Sequence, residues 1–192
     1  MSSERRGSLL ISTERDGRDS ERLAVETLGW SGTLIKDITL FGSQVSVLVH
    51  VDEEAHAVRQ QRDLPPVTDR TSVALWEWPE VTAPPPVIRL SAFMAASSRW
   101  QRGMRAVSGF AGFASTVLLL PQDTSPPESC QATAERYGVW VVRIGRSGAT
   151  VEQQGRIGPV ATARPTTVTR WTEELLYAHL IRDGLVEASP AR

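Results

Sequence analysis

Ser115-Thr-Val-Leu-Leu-Leu-Pro121 and Val139-Trp-Val-Val-Arg-Ile144 decide the fold class of this chain. Both runs are short and apolar on alternate and intervening positions alike, as expected of strands covered on both faces of a sheet. Between them, Ser125 offers a helix cap, Pro126-Pro127 a first turn and Glu128 a charge suited to the helix dipole. Gly138 stops that helix after Tyr137. Strand, helix, strand at this spacing requires a crossover and therefore parallel pairing, so the fold class is α/β, with a mixed central sheet covered by helices.

Working outward, Ser20–Leu28 reads as a helix with Ser20 as cap, Glu21 in the first turn and Gly29 as its end. Leu23, Ala24 and Leu28 form its inner face. Thr33–Phe41 and Gln44–Val51 read as strands joined by a two-residue turn at Gly42-Ser43. In the second, Val45, Val47, Val49 and Val51 alternate with Ser46, Leu48, His50 and Asp52. A short helix is expected over Asp52–Gln61 and a third strand over Val73–Trp78, stopped by Pro79. Pro84-Pro85-Pro86 is a stiff connection. Leu90–Val107 has helical spacing, with Leu90, Phe93, Met94, Trp100, Met104 and Val107 in one stripe. After a polar, Gly-rich passage, a last helix opens at Thr169 or Thr172 and closes near Gly184. The domain reading is a flexible arm over residues 1–20, polar except for Leu9-Leu10-Ile11, and one α/β domain over residues 21–192.

Composition narrows the function classes. The 192 residues are 41% hydrophobic and 22% charged, the balance of a globular protein that needs no staples. No apolar run nears the ~20 residues of a membrane-spanning helix, and no secretory apolar segment stands in Met1–Ser20. A single cysteine, Cys130, excludes an internal disulfide and a thiolate zinc site, and with the missing secretory signal predicts a cytoplasmic protein. The net charge of −1 excludes a polycation that coats nucleic acid indiscriminately. Lys36 is the only lysine, so lysine chemistry has one candidate.

The charge is uneven, however. No acidic residue lies between Glu80 and Asp123, a stretch holding Arg89, Arg99, Arg102 and Arg105. From Gly138 to Trp171, five arginines stand against Glu152 alone. Arg99, Arg102 and Arg105 repeat every third residue, with Trp100 at the border, which predicts a stripe contacting nucleic acid or an acidic protein partner. Six tryptophans make an aromatic set that can fill a core, stack on unpaired bases or anchor a protein interface.

Other chemistry has little support. His50, Asp52, Glu53, Glu54 and His56 cluster without the spacing of any metal motif, so no metal site is expected. His179 reads as a surface or core-edge histidine. Gly145-Arg-Ser-Gly148 and Gly155-Arg-Ile-Gly158 fit neither a P-loop nor a dinucleotide fingerprint, and no nucleophile elbow occurs.

Helix, Gly29-Trp30, a strand carrying Asp37-Ile38, a hairpin and a second apolar strand resemble the opening of a restriction-endonuclease-like, or PD-(D/E)XK, domain. The helix from Leu90, Thr116–Leu120, the helix with Ala132, Ala134 and Glu135, and Tyr137-Gly-Val-Trp-Val-Val142 resemble the closing elements of Mrr-like members. The resemblance covers residues 21–145. It implies a metal-bound aspartate on one strand and Glu-x-Lys on the next, which together hold Mg²⁺ and position water. Asp37 matches the first position, but Leu48 and His50 stand at the other two. The expectation is therefore a degenerate, non-catalytic member needing no cofactor: an interaction protein for nucleic acid or an assembly partner.

Two alternatives accompany that reading. One is a Mg²⁺-dependent nuclease with migrated carboxylates, its candidates Asp37, His50 and Glu77, the last on the third strand facing Asp37. Strand alternation would send Lys36 to the opposite face from Asp37. The other is a structural subunit that makes a homo-oligomer.

Overall fold

The computed structural model describes residues 20–146 and 148–186. Helix α1 covers residues 20–27. There follow β1 (Thr33–Leu40), β2 (Ser43–Val51), α2 (Glu53–Gln61), α3 (Arg70–Ala74) and a 3₁₀ turn (Leu75–Glu77). The second half comprises β3 (Ile88–Ala96), α4 (Trp100–Ser108), β4 (Ser115–Pro121), α5 (Glu128–Tyr137), β5 (Trp140–Gly145), β6 (Gly148–Gln153) and α6 (Thr167–Arg182). The arm expected over residues 1–20 lies outside the described residues except for Ser20, which is helical.

All six strands form one open sheet in chain order. β3–β4 and β4–β5 are parallel, each with a helix between its strands, and the remaining pairs are antiparallel. β4 is the most enclosed strand: every residue from Ser115 to Leu120 is buried. Leu118 and Leu120 pack with Met104 and Val107 of α4 and Cys130 and Ala134 of α5. Val117 and Leu119 point the other way, into a cluster with Ala24 of α1. β5 lies beside it as expected, with Val141 and Val142 buried but Trp140, Arg143 and Ile144 only half-buried. On β2 the alternation holds, Val45, Val47 and Val49 meeting Leu176, Tyr177 and Leu180 of α6 while Leu48 joins the α1 cluster.

Several local expectations need correction. The hairpin turn is Phe41-Gly42, because Leu40 pairs with Ser43; φ is 50° and 78° at the two turn residues, the pattern of a type I′ turn. Val73–Trp78 is not a strand. Asp69 accepts a 2.7 Å bond from the Ser72 N–H, nucleating α3, and the chain continues into the 3₁₀ turn. Leu90–Val107 is not one helix but β3, a Ser97–Arg99 turn and α4. Phe93 and Met94 fall on opposite faces of β3 and are buried on both, so adjacent apolar residues that imitate a helical stripe reflect a doubly covered strand. β6 occupies the passage read as irregular, tied to β5 by Arg143 Nε donating to Glu152 at 2.7 Å. α5 begins two residues past Pro126, with Pro127 as a cap that makes no side-chain bond, and α6 begins at Thr167 under a Thr166–Thr169 capping box.

α4 sits unusually close to β4. A Cβ on Gly103 would overlap Leu118 Cδ1 and approach Ser97 Cβ, so any larger residue there requires the buried Leu118 side chain to shift. On the same face of the sheet, α6 is tied to α2 by a buried pair, Arg59 to Glu174 at 2.7 Å. Among the described residues no helix is long and apolar enough to cross a membrane.

Candidate functional site

A β-bulge lies at a polar cleft. Ile35 pairs with Val47 and Ile38 with Val45, so Lys36 and Asp37 of β1 together face Ser46 of β2. Asp37 takes a left-handed φ of 52°, which aspartate tolerates better than most residues, and its N–H donates to Ser46 Oγ at 3.2 Å. Ser46 in turn donates to Glu21 Oε1 at 3.3 Å, linking the bulge to the first turn of α1.

Glu21 is only 5% exposed, and its Oε2 has no hydrogen-bond partner among the described residues. Burial pushes its carboxyl above the usual range; its own N–H opposes this, the Asp37 charge adds to it, and Lys36 and Ser46 pull it back. Lys36, on the same bulge, is near enough for its charge to act on this carboxyl.

Glu21, Asp37, Thr39 and Ser46 line one side of a cleft of about 730 Å³. Its other side is the C-terminal end of β3 with Ser97 and Ser98, then Arg102, Gly103 and Arg105 of α4. Arg102 and Arg105, three residues apart, share a helix face. The lining therefore combines two acidic residues, two arginines and serine and threonine hydroxyls.

The candidates from sequence are not brought together. Of Asp37, His50 and Glu77, only Asp37 lines the cleft. Glu77 is exposed on the 3₁₀ turn, because the segment expected as a strand is helical, and cannot face Asp37 across a sheet. His50 is half-buried and pairs across to Arg89, while Leu48 is fully buried opposite Leu34. The residue opposite Asp37 is Ser46, which the bulge puts there in place of Val45; Leu48 pairs with Leu34, further along the hairpin.

Arg99, Arg102 and Arg105 are all exposed, and none pairs with a carboxylate among the described residues. Arg99 is the α4 cap rather than part of the helix, and α4 buries Gly103, Met104 and Val107 but not Phe93 or Met94. Trp100 is half-buried against the α4–α5 cluster.

The acidic and histidine cluster after β2 is structural. Asp52 accepts the Ala55 N–H at 2.9 Å as the α2 cap, and buried His56 meets Tyr177 Oη through Nδ1 at 2.9 Å. His179 pairs with Asp183 one helical turn on, at 3.1 Å. Among the described residues no three histidine, cysteine or carboxylate side chains gather as a metal site. Glu21 and Asp37 are the carboxylates of the cleft, and β3 contributes Met94, Ala95 and Ala96 to its lining, with no carboxylate or lysine.

Sequence reasoning missed Glu21 and Ser46. Glu21 read as an ordinary first-turn acid and Ser46 as one of the β2 positions that alternate with the valines; only their burial, at 5% and 3% exposure, marks them. No protein-family model, curated protein or solved structure matches the chain.

Proposed function

We propose that this protein is a non-catalytic interaction module of restriction-endonuclease-like architecture that contacts the phosphate backbone of nucleic acid through the α4 arginines. The observation that carries the reading is the set Arg99, Arg102 and Arg105: exposed, unpaired with any carboxylate among the described residues, and two of them at a polar cleft. Unpaired guanidinium groups on one surface release counterions when they meet phosphates. The architecture is supported by the order α1, β1–β2 hairpin, β3, α4 and a parallel β4. The absence of catalysis is supported by Ser46 opposite Asp37, and by methionine and alanines where β3 enters the cleft.

Fluorescence anisotropy with labelled single- and double-stranded oligonucleotides at rising salt tests the reading. Replacing Arg99, Arg102 and Arg105 with glutamate should weaken binding at every salt concentration, reduce the salt slope by one to three phosphate equivalents of ~0.7–0.9 each, and leave the thermal midpoint nearly unchanged. Undiminished binding refutes it. Mg²⁺-dependent cleavage abolished by Asp37→Ala would replace it with a nuclease whose carboxylates have migrated.

A further inference from the structure

The tip of the β1–β2 hairpin carries a residue that its turn does not favour. At Phe41 φ is 50°, a conformation that such turns fill with asparagine, aspartate or glycine and that is an outlier for a bulky side chain. Aromatic packing holds it there. The Phe41 ring stacks on Phe110 and Phe113 at centroid distances of 6.0 and 6.2 Å and tilts against Trp171 at 5.7 Å. Phe110 is buried and stacks on Phe93 of β3 at 4.3 Å, so the cluster is anchored in the sheet. Trp171 is fixed as well, its indole N–H donating to the Thr68 carbonyl at 2.7 Å. Phe41 nevertheless remains 49% exposed, and Phe113 and Trp171 are only half-buried. A backbone outlier held in place by its surroundings, with part of its ring left in water, marks a surface prepared for a ligand.

Guanidinium groups stand at both ends of this aromatic surface. Arg70 is exposed, lies 5.9 Å over the Trp171 ring, and pairs with no carboxylate among the described residues. At the hairpin end, Thr39 and Gly42, which bracket Phe41, line the cleft that Arg102 and Arg105 also line. Phe110, against which Phe41 packs, comes two residues after the helix that carries those arginines. Open aromatic faces beside uncompensated cations suit a nucleic-acid strand whose bases are not paired, since the rings take a base while the cations take phosphates. A duplex keeps its bases stacked on one another and offers such a surface only its backbone and groove edges.

We infer that the protein binds single-stranded nucleic acid, with an unpaired base stacked on Phe41 and phosphates at Arg102 and Arg105. The inference rests on the reading of the arginine face above and adds to it the form of the strand and an aromatic contact.

Fluorescence anisotropy of the full chain with a labelled thymidylate strand and an abasic deoxyribose-phosphate strand of equal length tests it, because the two carry equal charge and differ in their bases. The thymidylate strand should bind about fivefold to 150-fold tighter, the range for one stacked base. Phe41→Asn removes the ring while supplying a residue suited to the turn, and should bring thymidylate binding down to the abasic level. It should leave abasic binding and the salt slope unchanged, whereas a merely structural role for Phe41 would weaken both strands alike. Should Phe41→Asn fail to fold, irradiating wild-type protein with a strand carrying 5-iododeoxyuridine should place the cross-link on Phe41 or Trp171, read by mass spectrometry. The inference falls if thymidylate and abasic strands bind alike, if folded Phe41→Asn keeps the thymidylate preference, or if cross-links form only elsewhere. It falls equally if sedimentation shows self-association that Phe41→Asn abolishes, because a second copy then covers the rings. Equal binding of the two strands, weakened alike by the arginine-to-glutamate variant, leaves the broader reading standing; strand binding that survives that variant removes the broader reading independently.

Discussion

Glu174→Gln is the substitution whose cost the structure defines best. Glu174 is 1% exposed, accepts three hydrogen bonds and makes a further ion-pair contact with Arg170. Oε1 takes Arg59 Nη1 at 2.7 Å and Arg170 Nη2 at 2.9 Å. Oε2 takes Arg59 Nη2 at 2.9 Å and the Val67 N–H at 2.9 Å. Glutamine has one acceptor end and one donor end, so either orientation sets its amide N–H groups against two donors. The charge of Arg59, whose side chain is wholly buried, loses its compensation at the same time. Removing one member of a buried pair costs about 3–5 kcal/mol. For a chain of this length each kcal/mol moves the midpoint by ~2–4 °C, so the midpoint should fall by roughly 6–20 °C. Urea denaturation followed by tryptophan fluorescence, with the slope held between variants, measures the loss directly. A loss under about 1 kcal/mol would refute the reasoning, showing that the charge on Glu174 is dispensable and that Arg59 is held by the carbonyls of Leu64 and Pro65 alone, at 3.1 and 2.7 Å.

Three further outcomes follow from the same structure. Burial raises the Glu173 carboxyl to about 7 despite Arg170, so its proton is bound more tightly folded than unfolded and stability falls as pH rises from ~4.5 through 7. Glu173→Gln should therefore gain on wild type between pH 5 and pH 8 in paired melting curves; a pH-independent difference counts against this. Gly103→Ala should destabilise by about 1–3 kcal/mol through overlap with Leu118, and Leu118→Ala in the same chain should cost less than the sum of the two; strict additivity would show that α4 and β4 do not meet there. The exposed glutamate of the 3₁₀ turn, Glu77, should tolerate alanine without change in stability or oligonucleotide binding, whereas a loss of binding would return it to the site.

What the sequence determined by itself was everything set by neighbours along the chain. A run such as Thr116–Leu120, apolar on both faces, can be satisfied only between two layers, and β4 is buried throughout. Asp52 caps α2 and Gly138 closes α5 in the left-handed conformation, because caps are local chemistry. The exposure of Arg99, Arg102 and Arg105 follows from their period and from the apolar residues between them. Tertiary structure decided the rest. Ile88–Ala96 carries enough adjacent apolar residues to imitate a helix, and only pairing with β2 and β4 selects the strand. The bulge at Lys36 and Asp37 depends on which residues of β2 they meet, and it turns an alternating pattern into a shared site. Glu21 and Ser46 carry no mark of burial in sequence. They become buried, and Glu21 acquires an unanswered oxygen, because the packing of α1 against the sheet sets their solvation, and no local pattern encodes solvation across a distance of 25 residues.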